Sequence, residues 1–232
     1  MVEIKGLEKF APKDFPGFIA ATVFLGRCNF KCPFCHNADL VLRPDSLPTF
    51  PIDYFLAFLD ARKDWLEGIC ITGGEPLLND DLDVLLTIIK ERNLLVKIDT
   101  NGAFPGRLES LIKKELLDHV AMDVKTSFEK YPKAVGGPVN IENIKKSIAI
   151  IKESDLEYTF RTTAVPGLVD REDIEKISSV LQGSKMFRIQ QYMPHNTLES
   201  DYENIKPYPA EELRDWVKIA EPNFTEVRLE GV

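Results

Sequence analysis

A chain of 232 residues, 44% apolar and 28% charged, is ordinary globular material, long enough to bury roughly 70–75% of the surface its unfolded form exposes. Its 37 acidic residues against 29 basic ones leave a net charge of −8, which argues against a nucleic-acid duplex as the main partner. The longest apolar run, Phe18 to Leu25, falls far short of the roughly 20 residues that span a bilayer, and the first 15 residues carry no signal-peptide pattern; the expectation is a soluble, cytoplasmic protein with no membrane partner.

From the N-terminus onward the chain alternates strand and helix. Residues 17–26, an apolar run between glycines, have the size and β-branched content of a buried strand. Three of the four cysteines follow it at once. After the prolines at 44, 48 and 51, the spacing of Ile52, Phe55, Leu56 and Leu59 predicts a helix over 52–64, and Gly68 to Thr72 reads as the next strand. The unit repeats: helix 80–92 and strand 94–99, helix 107–117 and strand 119–124, helix 141–153 and strand 157–163, helix 170–181 and strand 186–192. Helix 209–220 and a short strand, 226–229, close the chain. Strands separated by helices of this length indicate parallel βαβ units, six main strands in all. A partial (β/α)6 barrel in one domain, 1–232 with short terminal extensions, fits that count, because a complete eight-stranded barrel typically needs about 250 residues. An open doubly wound sheet is the alternative. Both architectures bind ligands beyond the carboxyl ends of their strands. The residues there form a set: Cys28 to Asn37, Gly73 to Pro76, Asp99 to Gly102, Asp123 with Lys125, Arg161, and Gln190 to Pro194.

Cys28, Cys32 and Cys35 are spaced C-x3-C-x2-C on the loop leaving the first predicted strand. A tight cluster of this kind in a signal-free chain points to metal binding or catalysis rather than to a disulfide framework. Three thiolates are one fewer than a structural zinc site or a fully protein-ligated iron–sulfur cube requires, so one coordination position stays open. Cys70 sits inside an apolar strand and reads as a small buried hydrophobe. His36, adjacent to Cys35, is awkwardly placed to share the same ion.

The loop from Cys28 to Cys35 resembles the signature of the radical S-adenosylmethionine superfamily. That resemblance implies a [4Fe-4S] cluster held through three irons, the fourth left to S-adenosylmethionine, and one-electron cleavage of the sulfonium to a 5′-deoxyadenosyl radical. Gly73-Gly-Glu-Pro76 is similar to the family's GGEP element, which implies that Gly73, Gly74 and Glu75 bind the methionyl amino group. The residues themselves also permit a plainer reading, a turn with Glu75 at the N-terminus of the following helix. Cys35-His-Asn37, Asp99-Thr-Asn-Gly102 and Met122-Asp-Val-Lys125 resemble the activating enzymes of glycyl radical proteins. By that similarity Asn37 supports the cofactor, Asp99 and Asp123 help place a monovalent cation, Lys125 approaches the cofactor's carboxylate, and Arg161 contacts the cofactor. Their alternatives are an Asx turn at Asp99 and ordinary ion pairs at Asp123, Lys125 and Arg161.

The segments Lys9 to Gly17 and Ala20 to Phe24, with Gln190 to Tyr192, look most like activating proteins of anaerobic ribonucleoside-triphosphate reductase. The resemblance therefore implies a glycyl radical enzyme as protein substrate and an external one-electron donor such as flavodoxin or ferredoxin. Alternatives are another glycyl radical enzyme such as pyruvate formate-lyase, a small-molecule substrate, or a non-enzymatic zinc or iron–sulfur module. No cysteine follows residue 70, which argues against auxiliary clusters. His195 reads as a solvated or hydrogen-bonded loop residue rather than a catalytic one.

Overall fold

The computed structural model describes residues 2–232. One mixed sheet runs through it, with strands in simple chain order: β1 (Ile4–Glu8), β2 (Ala20–Leu25), β3 (Gly68–Gly73), β4 (Leu95–Thr100), β5 (His119–Asp123), β6 (Glu157–Ala164), β7 (Ser184–Gln191) and β8 (Phe224–Glu230). β1 pairs antiparallel with β2, and every later neighbour pair is parallel. A sequential order has no point at which strand order reverses, so the sheet is not doubly wound. Right-handed crossovers then keep all the connecting helices on one face, which is the partial-barrel arrangement.

The helices are α1 (Ala38–Leu42), α2 (Ile52–Asp60), α3 (Leu82–Lys90), α4 (Pro105–Lys113), α5 (Tyr131–Ala134), α6 (Ile141–Glu153), α7 (Arg171–Val180) and α8 (Ala210–Ala220). α6 matches its expected bounds. α4 begins two residues before the expected start, where Pro105 takes the first helical turn, and ends at Lys113 rather than 117 because Glu115 adopts a left-handed φ of 57°. α2 likewise stops at Asp60, the chain continuing in turns to Trp65.

The sheet holds the six expected main strands, the expected terminal strand and one more, β1. β1 escaped the sequence reading because Lys5 and Gly6 break its apolar pattern, and the terminal strand, Phe224–Glu230, runs longer than the expected 226–229.

Side chains alternate across each strand. On one face Val23, Leu25, Ile69, Ile71, Val96, Ile98, Val120, Phe160, Phe187 and Ile189 are all at most 1% exposed and pack into a single core with Phe55, Leu85, Ile89, Leu108, Ile148, Ile174 and Trp216 from the helices. The other face is polar: Thr22, Cys70, Lys97, Asp99, His119, Asp123, Thr159 and Arg161 stand on alternate positions of the same strands. Apolar burial against the helices stabilises the fold, roughly 1.5–3 kcal/mol per fully buried large side chain, and leaves the opposite face free to carry charge. Among the described residues no helix is long and apolar enough to cross a membrane.

Candidate functional site

At the carboxyl ends of the parallel strands lies a cavity of about 270 Å³. All eleven residues singled out from the sequence line it: Cys28, Cys32, Cys35, Asn37, Gly73, Gly74, Glu75, Asp99, Asp123, Lys125 and Arg161. They come from the loop after β2 and from the ends of β3, β4, β5 and β6.

The cysteine loop leaves β2 through Arg27, whose φ of 70° turns the chain sharply. Cys35 N donates to the Cys32 carbonyl at 3.0 Å, and Phe30 N donates to Cys28 Sγ at 3.4 Å. Distant backbone braces the loop from outside: Lys31 N donates to Val135 O and Glu199 N to Pro33 O, both at 2.9 Å. Gly136 lies so close to the Lys31 carbonyl that any Cβ there would collide with it. Phe30 and Phe34 are buried beside the sulfurs. All four cysteines are free thiols. Burial pushes the Cys28 thiol up to about 12 and the Cys32 thiol to about 11, and raises Cys35 as well. Such thiols keep their protons at neutral pH until a soft metal displaces them.

Gly73 and Gly74 are required by the packing of this turn. A Cβ on Gly73 would strike the Leu25 backbone and one on Gly74 the Arg27 carbonyl. Gly74 N donates to Leu25 O and Glu75 N to Arg27 O, both at 2.9 Å, so the glycines let this turn lie directly on the chain leaving β2. Asn37 Nδ2 donates to the Gly73 carbonyl at 2.8 Å, tying the end of the cysteine loop to the same turn. Glu75 is 1% exposed. Its carboxylate accepts from Leu77 N at 3.1 Å, Thr100 Oγ1 at 2.8 Å and Asn101 N at 2.7 Å. It therefore caps the short 3-10 turn at 76–78, the plainer of its two readings, while also locking the end of β4. A carboxylate offers about four acceptor sites, which leaves one toward the cavity. Burial lifts the Glu75 carboxyl to about 7, opposed by those hydrogen bonds.

A chain of charges crosses the ends of β4, β5 and β6. Lys97 Nζ contacts Asp99 Oδ1; Arg161 Nη1 donates to Asp99 Oδ2 at 3.0 Å and its Nε to Asp123 Oδ1 at 2.8 Å; Lys125 Nζ reaches Asp123 Oδ2 at 2.9 Å. Burial alone would raise both aspartates, but Arg161, with Lys97 for Asp99 and Lys125 for Asp123, holds both below the usual carboxylate range. The same contacts raise Lys125 and Arg161 against the desolvation that opposes their charge. Asp99 makes ion pairs and takes a hydrogen bond from Thr72 Oγ1 at 3.4 Å.

The fourth cysteine and the neighbouring histidine stay out of the trio. Cys70 lies fully buried against Lys97 and Asp99. His36 Nε2 is 2.8 Å from the Met193 carbonyl, and its ring stacks on His195 at 5.1 Å, which gives His195 a partner that its lone position in the sequence did not reveal.

Lys97 was passed over by the sequence reading, and Asn101 fell inside the Asp99 to Gly102 segment without a role of its own. Lys97 is a lysine in the middle of a strand, two residues before Asp99 and hence on its face. Asn101 Nδ2 donates to Asn29 Oδ1 at 2.8 Å and approaches Cys28 Sγ at 3.8 Å, joining the end of β4 to the cysteine loop.

Comparison with known proteins agrees with this geometry. The sequence model of the radical SAM superfamily matches residues 22–180. A protein of Methanocaldococcus jannaschii named as a glycyl-radical enzyme activating enzyme is 37% identical over 99% of this chain and 96% of its own length. The pyruvate formate-lyase-activating enzyme of Streptococcus mutans is 29% identical over 91% of this chain and 84% of its own. Among solved structures, Streptococcus suis SuiB bound to S-adenosylmethionine superposes with a TM-score of 0.69 at 21% identity, covering 88% of this chain and 48% of SuiB. A domain of pyruvate-formate lyase-activating enzyme from Bacteroides vulgatus gives 0.59 at 18% identity, covering 71% of this chain and 99% of that domain. These two structural likenesses establish the fold, and the sequence match across the cysteine loop and five strands establishes the family: the chain belongs to the radical SAM superfamily and is a radical SAM enzyme.

Proposed function

We propose that the chain generates a glycyl radical on a partner enzyme, with a [4Fe-4S] cluster and S-adenosylmethionine in the cavity described above. The observation that carries this reading is that three thiols, one buried and two half-buried, the GGEP turn and a net-positive charge chain all face one cavity. The donor set fits the group: thiolates suit iron–sulfur clusters, and three of them leave one iron for a ligand. When bound, the cluster and S-adenosylmethionine supply one-electron reductive cleavage of the sulfonium, so that one electron from an external donor and one hydrogen from a glycine Cα yield methionine, 5′-deoxyadenosine and the glycyl radical.

The chain's own residues supply the surroundings. Cys28, Cys32 and Cys35 hold the cluster, and Phe30 and Phe34 keep water from the sulfurs. The remaining acceptor site of Glu75 takes the methionyl ammonium, with Gly73 and Gly74 setting its height and Asn37 acting through the Gly73 carbonyl. Lys125 and Arg161 attract the methionyl carboxylate; Asp99 and Asp123 act one step removed, by holding those two cations in place. The partner reading rests on two supports, the likeness to the Methanocaldococcus jannaschii relative and the resemblance of the opening segments to activating proteins of anaerobic ribonucleoside-triphosphate reductase.

The test is electron paramagnetic resonance on the reduced, reconstituted protein mixed with S-adenosylmethionine and either anaerobic ribonucleotide reductase or pyruvate formate-lyase, with 5′-deoxyadenosine measured in the same tube. A glycyl doublet is expected only in a complete mixture, and with the reductase. A doublet with pyruvate formate-lyase alone reassigns the partner. Deoxyadenosine without a doublet in either mixture rejects the glycyl reading and leaves another substrate for the same chemistry.

A further inference from the structure

Radical chemistry at this cavity, as read above, carries with it the expectation of a monovalent metal cation beside Asp99 and Asp123, and the side chains there do not fit one. Each of the four carboxylate oxygens already has a cationic partner: Lys97 on Asp99 Oδ1, Arg161 on Asp99 Oδ2 and on Asp123 Oδ1, Lys125 on Asp123 Oδ2. The unusual member is Lys97. It rises from the middle of β4 on the polar inner face, and its side chain is only 5% exposed. Its other close polar neighbour is Cys70 Sγ at 3.4 Å, a thiol that burial, reinforced by Asp99, keeps protonated and therefore uncharged. The ammonium thus has one charged partner, Asp99.

Charge counting points the same way. Lys97, Arg161 and Lys125 against Asp99 and Asp123 leave the chain of charges one positive in excess, which one incoming carboxylate would neutralise. A metal cation added to the same place would leave an uncompensated charge in a desolvated site, where such a charge is expensive. A lysine is also a compact point charge on a flexible stem, able to deliver a cation to a buried oxygen where the planar, forked arginine would not fit so simply.

We propose that Lys97 is a built-in counter-ion. Its ammonium occupies the position beside Asp99 that a monovalent metal cation would otherwise fill, so that S-adenosylmethionine binding and cleavage by this chain are independent of sodium and potassium. Lys97 is a positioning residue: it holds Asp99, Asp99 holds Arg161, and Arg161 faces the cofactor. The proposal rests on the cofactor site given under Proposed function.

The experiment compares the anaerobically reconstituted wild type with Lys97→Met, using a reductant free of alkali-metal ions. Deoxyadenosine formation is followed in potassium, sodium or tetramethylammonium chloride at equal ionic strength, and melting temperature is measured in the same salts. The wild type is expected to vary by less than about twofold across the three salts, whereas Lys97→Met falls about tenfold in tetramethylammonium, as loss of one partner of a buried pair implies, and recovers at least about threefold in potassium or sodium, which would refill the vacated place. A lysine that served packing alone would not be rescued by small cations and spared by none. A wild type that needs potassium or sodium overturns the proposal, as does a Lys97→Met protein that no cation restores. Should Lys97→Met not fold, salt independence of the wild type decides alone. If no protein cleaves S-adenosylmethionine in any salt, the cofactor reading itself has failed. The melting temperatures then judge Lys97: stabilisation of the variant but not the wild type by potassium or sodium supports it, and equal response of the two overturns it.

Discussion

The two sides of the cavity are made by opposite means. The thiol side is one contiguous stretch, Cys28 to Asn37, whose donors come from local spacing and whose position comes from backbone bonds to Val135 and Glu199 and from the Asn37 side-chain amide on the Gly73 carbonyl. The charged side has no contiguous stretch at all: Lys97, Asp99, Asp123, Lys125 and Arg161 belong to three strands or their ends and meet only because those strands pair in register, Asp99 beside Ala121 and Asp123 beside Arg161. The difference teaches where each side is vulnerable. Each cysteine of the metal-free protein is a small, neutral group, and its loss should leave no charge stranded. A member of the charge chain cannot be removed without stranding its neighbours.

The contrast is tested most severely at Cys32. Cys32→Ala removes one of the three proposed cluster ligands and is expected to abolish cluster absorption and deoxyadenosine formation, while the metal-free protein loses only about 1 kcal/mol of stability, a small core truncation. Denaturant melts of the metal-free proteins, beside iron content and deoxyadenosine assays of the reconstituted ones, measure both; a variant with a full cluster and full cleavage would contradict the role given to this residue.

Arg161→Met comes second and should damage fold and function together. It strands Asp99 Oδ2 and Asp123 Oδ1, and breaking a buried pair by removing one partner costs about 3–5 kcal/mol. Chemical denaturation, with equilibrium binding of S-adenosylmethionine as the second readout, distinguishes this from the cysteine case. Unchanged stability would mean the two aspartates find other partners, and the proposed contrast between the two sides would fall.

His119 gives the smallest effect and tells how far the charged face extends down the sheet. Burial, with the Lys97 cation next, depresses its pKa from 6.5 to about 4. Between those values the unfolded chain binds a proton that the folded one refuses, so the stability contributed by neutral His119 is present above pH 6.5 and lost as pH falls toward 4. Glu75, raised to about 7, acts with the opposite sign over part of this window, but equally in wild type and variant. His119→Gln should therefore lose about 1–2 kcal/mol less than wild type on going from neutral pH to the acid end of the window. Melts across that range check it, and parallel pH profiles would show that His119 titrates normally in the folded protein.

Much of this was legible in one dimension. The alternation of strand and helix held because helical and strand periodicities differ, and the core positions on both could be read from apolar spacing alone. The strand ends could be collected into one list because parallel βαβ units put them on one side. What escaped follows equally plain physics. β1 is a charged, glycine-containing edge strand that acquires its conformation from pairing with β2. The glycines of the GGEP turn answer to the backbone of Leu25 and Arg27, some 50 residues away by count. Lys97, unremarkable as a letter between Val96 and Ile98, becomes informative only when the inner face is assembled around it.

By itself, then, the amino-acid order determined the secondary-structure period, the trio of thiols with one coordination position open, and the family resemblance that follows, because each depends on residues near one another along the chain. Tertiary structure alone decided that Glu75 is locked by Thr100 and Asn101, that His36 turns to Met193 and His195, and that three cations meet two carboxylates beside the cavity at the strand ends. Those are statements about which charges and hydrogen-bonding groups end up desolvated together, and desolvation is a property of the packed molecule that no local spacing records.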